Sequence, residues 1–211
     1  MARGISNRET MLKAALALFN NKGTGPVTTN HIAKAAGVSP GNLYYHFRNK
    51  AEIIRELYER FLEEYRTMWD QLTRGPLEAR SVLLALVDGF SINSKYRFFA
   101  IELTALCHQD AVLMTRQREV YTARFALLRQ VVRRGEEKGI FIAEPDSEIY
   151  ADILHVVWLI NQYWLSYLSL LPGPATDAEL QRGVRIALRV ILPYLRPDFR
   201  DMVNRFLTEG A

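Results

Sequence analysis

Cysteine is almost absent: Cys107 is the single thiol in 211 residues. One thiol cannot close an intramolecular disulfide or build a cysteine-based zinc knuckle, and it fits a reducing compartment. Proline is scarce too, with eight residues, while 49% of the chain is apolar or aromatic; that balance argues against disorder. No apolar run is long and clean enough for a bilayer. The best stretch, 153–171, carries His155, Asn161 and Gln162 and reads as a buried helix of a soluble protein. The first residues, MARGISNRETMLKAALALF, are polar where a secretory signal would turn apolar, so the expected location is the cytoplasm and no membrane partner is expected. Catalytic signatures are missing as well. GxxxxGK[ST], GxGxxG and HExxH do not occur, and Cys107 and His108 are chain neighbours, unlike a nucleophile and its base. His108 with Asp110 makes no metal-ligand set, and Glu63, Glu64, Glu102 and Glu119 read as solvated or ion-paired. An enzyme is not expected, nor a metal or cofactor.

Net charge is small, +4, but unevenly placed. Residues 1–50 carry seven basic groups against Glu9, a net of +6, whereas residues 51–211 carry 20 basic and 22 acidic groups, a net of −2. A basic head on a slightly acidic body directs attention to a polyanion, with nucleic acid the first candidate.

Helical periodicity is what the chain has in abundance. Met11, Ala14, Ala15, Leu18 and Phe19 set a helix over 8–22, ended by Gly-Thr-Gly-Pro at 23–26. Thr28 or Thr29 can cap a second helix through Ala36, and Gly37 stops it. Ser39 caps a third, very short helix with Pro40 in its first turn. Asn49 and Glu52 have capping-box spacing at the start of a fourth, about 24 residues long and broken by Gly75–Pro76. Further helices are expected over about 77–92, 95–105, 110–138, 146–171, 177–192 and 198–208. Ile140 to Ile142 could form a short strand but has no evident partner. The expected fold is all-α: a helix-turn-helix unit over 1–50 joined, through the fourth helix, to a larger helical body over 51–211.

The segment TTNHIAKAAGVSPGNLYYHFRNKAEII, 28–54, has the parts of a helix-turn-helix. Gly37 permits a left-handed turn, Val38 plugs the angle between the helices, Ala33 lets them cross closely, and Leu43 and Phe47 face the core. In such a motif the second helix enters the major groove. Asn42 can pair with adenine and Tyr44 can meet a thymine methyl, while Thr29, Tyr45, His46 and Lys50 are placed for phosphate. No Arg or Lys occurs within 39–47, so base contacts should be few and backbone contacts dominant.

The run Leu43–Tyr44–Tyr45–His46–Phe47–Arg48–Asn49–Lys50, with Ala14, Leu18, Phe19, Gly23 and the Thr28–Thr29 start, closely resembles the N-terminal DNA-binding domain of the TetR family of bacterial transcriptional regulators. The specific resemblance spans about residues 8–55; beyond it only length and helix count look alike. It implies base-contacting positions at Asn30, Gly41, Asn42 and Tyr44, and phosphate-contacting ones at Thr28, Thr29, Tyr45, His46 and Lys50. Gly41 departs from the pattern in offering no side chain to a base. The resemblance also implies a homodimer on a palindromic duplex, held together by the last two long helices packing against their symmetry mates.

Those helices are rich in apolar residues. Trp164 and Tyr167, with the stripe Leu180, Val184, Ala187, Leu188 and Ile191, are the expected dimer face. A cavity for a small lipophilic effector is expected among Trp69, Phe90, Phe98, Phe99, Leu103, Cys107, Met114, Tyr121, Phe125, Trp158, Asn161 and Tyr163. His155, Asn161 and Gln162 must be satisfied by a ligand or by each other. The function expected is a dimeric, ligand-responsive repressor; the alternative is an all-helical adaptor whose head binds protein.

Overall fold

Side-chain caps decide where the N-terminal helices begin. In the computed structural model, which describes residues 2–142, 147–173 and 175–209, helix α1 spans Ala2–Lys22, longer than the expected 8–22. Thr28 caps α2, Thr29–Ala35: its hydroxyl accepts from the His31 backbone N–H at 3.3 Å, and its own N–H donates to His31 Nδ1 at 3.3 Å. Histidine thus fills the role that glutamate has in the usual capping box. Ser39 Oγ accepts from the Asn42 N–H at 3.1 Å to start α3, Pro40–His46. Gly37, at φ +67°, makes the turn between them, in the left-handed region that other residues occupy at a cost.

Helix α4, Lys50–Arg74, starts at Asn49, whose side chain accepts from the Glu52 N–H at 3.0 Å. The return bond of the expected capping box lands one residue earlier, from the Arg48 N–H to Glu52 at 2.7 Å. At the far end, Arg134 donates to the carbonyls of Leu72, Thr73 and Gly75. It therefore caps α4 rather than only the end of its own helix.

The body follows as α5, Ala79–Lys95; α6, Arg97–Gln109; α7, Ala111–Glu137; α8, Ser147–Leu168; α9, Asp177–Ile191; and α10, Pro197–Glu209. Asp110 caps α7 by accepting from the Val112 and Leu113 N–H groups at 3.0 and 3.2 Å. Ile140 to Ile142 does find a partner: Phe141 bridges Leu195, and Ile142 N–H donates to the Tyr194 carbonyl at 2.9 Å. Of the apolar turn segment, residues 143–146 lie outside those described.

Two apolar clusters organise the molecule. The first runs without a break from Met11, Phe19, Ile32 and Leu43 in the head through Ile53, Leu57 and Tyr58 of α4 to Phe98, Phe99 and Leu113 of the body. The core therefore does not divide at residue 50. Head and body are also stitched by polar bonds: Arg55 grips Asp110 with two bonds of 2.6 and 2.9 Å, and Asn20 accepts from the Phe98 N–H at 3.1 Å. The second cluster joins Leu72, Phe90, Val131, Phe141, Val157, Val184 and Leu188. Gly183 lets α9 close onto it, since a Cβ there would come within 2.6 Å of both the Phe90 and Trp164 rings.

Candidate DNA-reading head and effector cavity

The exposed face of the helix-turn-helix collects Thr28, Asn30, Gly41, Tyr44 and Tyr45, with Thr29, Asn42 and His46 half-buried beside them. Leu43 and Phe47 face the core as the periodicity requires. Tyr45 is 85% exposed and meets His46 edge to face at 5.1 Å. A hydroxyl pair, Thr29 Oγ1 and Tyr44 Oη at 3.0 Å, ties the start of α2 to the middle of α3. A Cβ on Gly41 would meet nothing within 4 Å, so that position is open surface.

Lys50 behaves differently from its expected phosphate role. Its ammonium donates to the carbonyls of Thr24 at 2.6 Å and Val27 at 2.9 Å, clamping the loop between α1 and α2. A cation held by two inward carbonyls is not free for phosphate. Arg8 is likewise engaged, with Glu56 at 2.8 Å, while Lys22, Lys34 and Arg48 are exposed. The same loop is held from the body: the Thr24 N–H donates to both oxygens of Glu102 at 3.1 Å, and its hydroxyl bonds Glu102 too. Sequence reasoning treated Glu102 as an ordinary surface acid, and nothing local marks it otherwise.

The expected effector residues do not converge on one cavity. Phe98 and Phe99 belong to the first core cluster, where Phe98 packs on Phe19 at 5.2 Å and Phe99 on Tyr58 at 5.4 Å. Phe90 packs in the second cluster, and Phe125 stacks on His155 at 4.2 Å. Leu103, Cys107, Met114, Tyr121, Trp158 and Tyr163 line an open cleft of about 240 Å³ between α6, α7 and α8. Trp69, Trp158 and Asn161 instead reach an apolar cavity of about 120 Å³ lined from α4, α5, α7, α8 and α9. Its wall adds Met68, Leu72, Val131 and Leu154, which sequence reasoning missed, and one cation, Arg124. Arg124 left a trace in the sequence: it sits four residues after Val120 and four before Leu128, in the apolar phase of α7.

A buried polar network closes one side of this cavity. Asn93 donates to the Asn161 carbonyl at 2.7 Å and to its side-chain oxygen at 2.9 Å, and the Tyr65 hydroxyl lies 3.0 Å from Asn93 Oδ1 and from the Gly89 carbonyl. Burial pushes the Tyr65 phenol up to about 12, so it stays a neutral donor. Asn161 is thus satisfied by its neighbours, and His155 by the Ala151 carbonyl at 2.7 Å.

The sequence profile described as bacterial transcriptional repressor, TetR, matches residues 57–203, and that of the bacterial regulatory proteins, tetR family, matches residues 11–57. The chain belongs to the TetR family. It is 30% identical over 186 residues to the transcriptional repressor KstR2 of Rhodococcus jostii, covering 83% of this chain and 86% of that protein. KstR2 of Mycobacterium tuberculosis is 29% identical over 178 residues, covering 75% and 82%. A solved structure of a TetR-family transcriptional regulator from Marinobacter aquaeolei shares 31% identity and superposes with a TM-score of 0.85, over 96% of this chain and 97% of that one.

In this TetR-family chain the two profiles meet at Leu57, inside α4, where the first core cluster is continuous. The α9 stripe expected to face a partner is turned inward. Ala187 and Leu188 are fully buried, and Val184 and Ile191 lie with them in the protomer's own core, so they cannot meet a second copy. Trp164 is an internal staple, its indole N–H donating to the Glu179 carbonyl at 2.9 Å. Tyr167 is 52% exposed and extends a stripe of α8 that Val156, Leu159 and Tyr163 continue. Among the described residues no helix is long and apolar enough to cross a membrane, and no His, Cys, Asp or Glu group could hold a metal.

Proposed function

We propose that this TetR-family regulator is a homodimeric repressor that binds a palindromic duplex through α3 and is released by a small lipophilic effector held in the body. The observation that carries the reading is the course of α4. It begins in the head at Lys50 and ends on the cavity wall, which Tyr65, Trp69 and Leu72 share. A ligand that favours one packing of those residues has differential affinity for head positions, as release of DNA requires. Relatives named as repressors support the direction of control. Base contact is assigned to Asn42 and Tyr44, with Asn30 beside them, and phosphate contact to Thr28, Thr29, Tyr45 and His46. The dimer face is assigned to the exposed α8 stripe in place of the buried α9 one, because a row of apolar side chains at helical spacing on the surface is costly unless covered.

Selection of bound duplexes from a random pool with the full chain tests this reading. Enriched paired half-sites about one helical turn apart, about 34–36 Å, with binding that weakens steeply in salt, are expected. Absence of any enriched palindrome favours the protein-binding adaptor instead.

A further inference from the structure

Arg124 is a charged group for which the fold supplies no anion. It is 9% exposed and lines the apolar cavity, with its guanidinium 4.5 Å from the centroid of the Tyr65 ring. Among the described residues no carboxylate approaches it within ion-pair distance. The acids along the groove on its other side are already engaged: Glu59 and Glu119 with Arg116, Glu63 with Arg66, and Asp70 with Arg66 and Arg74. A buried cation without an anion is costly, and an aromatic face offsets only part of that cost. A second orphan points the same way. The Trp69 indole N–H is buried without an acceptor, and Trp69 lines the same cavity. Asn161 and Tyr65 are occupied with Asn93, so the unspent polar groups of this wall are donors.

We propose that the effector is an amphiphile with a carboxylate headgroup, seated on Arg124 within reach of the Trp69 N–H, and with a compact apolar part among Met68, Leu72, Val131 and Leu154. This rests on the effector reading of the cavity made above. The guanidinium fork matches a carboxylate in shape as well as in charge, and it repels a cationic lipophile from the same place. A volume of about 120 Å³ accepts an apolar group on the scale of a benzene ring. Arg124, Tyr65 and Trp69 also line the outer groove between α4 and α7, so a headgroup at Arg124 sits where the cavity meets that groove.

Calorimetric titration of the full chain with phenylacetate, methyl phenylacetate and benzyltrimethylammonium tests the proposal. Phenylacetate should bind about tenfold or more tighter than the ester, consistent with a charge-assisted hydrogen bond, and the ammonium should bind most weakly. Arg124→Met should bind the acid no more tightly than the ester. Equal binding of acid and ester to the unaltered protein, or a preference that survives in Arg124→Met, overturns the carboxylate assignment and leaves an apolar cavity standing. Failure of all three probes to bind overturns the effector reading itself. Should Arg124→Met not fold, the ranking of the three probes on the unaltered protein decides.

Discussion

Gly41 and Lys50 exchange importance when the side chains are placed in three dimensions. Gly41 has no side chain to read a base, yet it stands on the open face of α3 with space above it. Gly41→Glu should fold with an unchanged or slightly raised melting temperature, since a carboxylate suits the first turns of a helix, and should lose duplex binding through repulsion by phosphate. Thermal melting alongside an anisotropy titration with the selected duplex checks both halves. Lys50 instead holds the Thr24 and Val27 carbonyls. Lys50→Met should destabilise the chain by about 1–3 kcal/mol, because it strips a charged donor from two inward acceptors. A variant as stable as the parent in urea, with duplex binding lost, would return Lys50 to the phosphate backbone.

At the level of elements, the junction between α4 and α7 depends on one carboxylate doing two things. Asp110 caps α7 and receives both bonds from Arg55. The Arg55 guanidinium, ahead of the backbone N–H groups of Leu113 and Val112, holds the Asp110 carboxyl below its ordinary value of 3.8. A carboxyl depressed in the folded state adds stability above that ordinary value and loses it as pH falls through the lower folded one. Melting temperature should therefore drop between about pH 5 and pH 2 by more in the parent than in Asp110→Asn. Parallel curves for the two would show that the pair adds nothing. Local chemistry of this kind is legible in sequence: Ser39 with Pro40 and Asn49 with Glu52 announce the starts of α3 and α4. The tie of Asp110 to Arg55 was not legible, nor the partner of Ile140 to Ile142, because Arg55 and Leu195 are distant along the chain. The α9 stripe shows the same boundary. Its burial follows from periodicity, but whether α5 and α8 or a second copy covers it depends on packing that periodicity does not encode.

For the whole molecule, the open question left by that stripe is where two copies meet. The α8 face with Val156, Leu159, Tyr163 and Tyr167 is apolar and uncovered. Leu159→Glu should yield folded monomers by sedimentation, with helical content kept and duplex affinity reduced because two half-sites are no longer engaged together. A variant that remains a dimer removes this face from the interface. Trp164 is a poor position for the same test, since its bond to Glu179 and its packing over Gly183 belong to the protomer.

Helix α4 has 25 residues and therefore spans about 37 Å. Over such an arm, a tilt of about 5° at the cavity end displaces the other end by about 3 Å. With the loop of the head clamped to it by Lys50, little of that displacement is dissipated in a hinge. In a twofold dimer the two arms swing in opposite senses, so the gap between reading helices changes by about 6 Å, a sizeable fraction of one helical repeat of DNA. Ångström-scale repacking beside Tyr65 and Trp69 is then enough to put the pair of heads out of phase with their duplex.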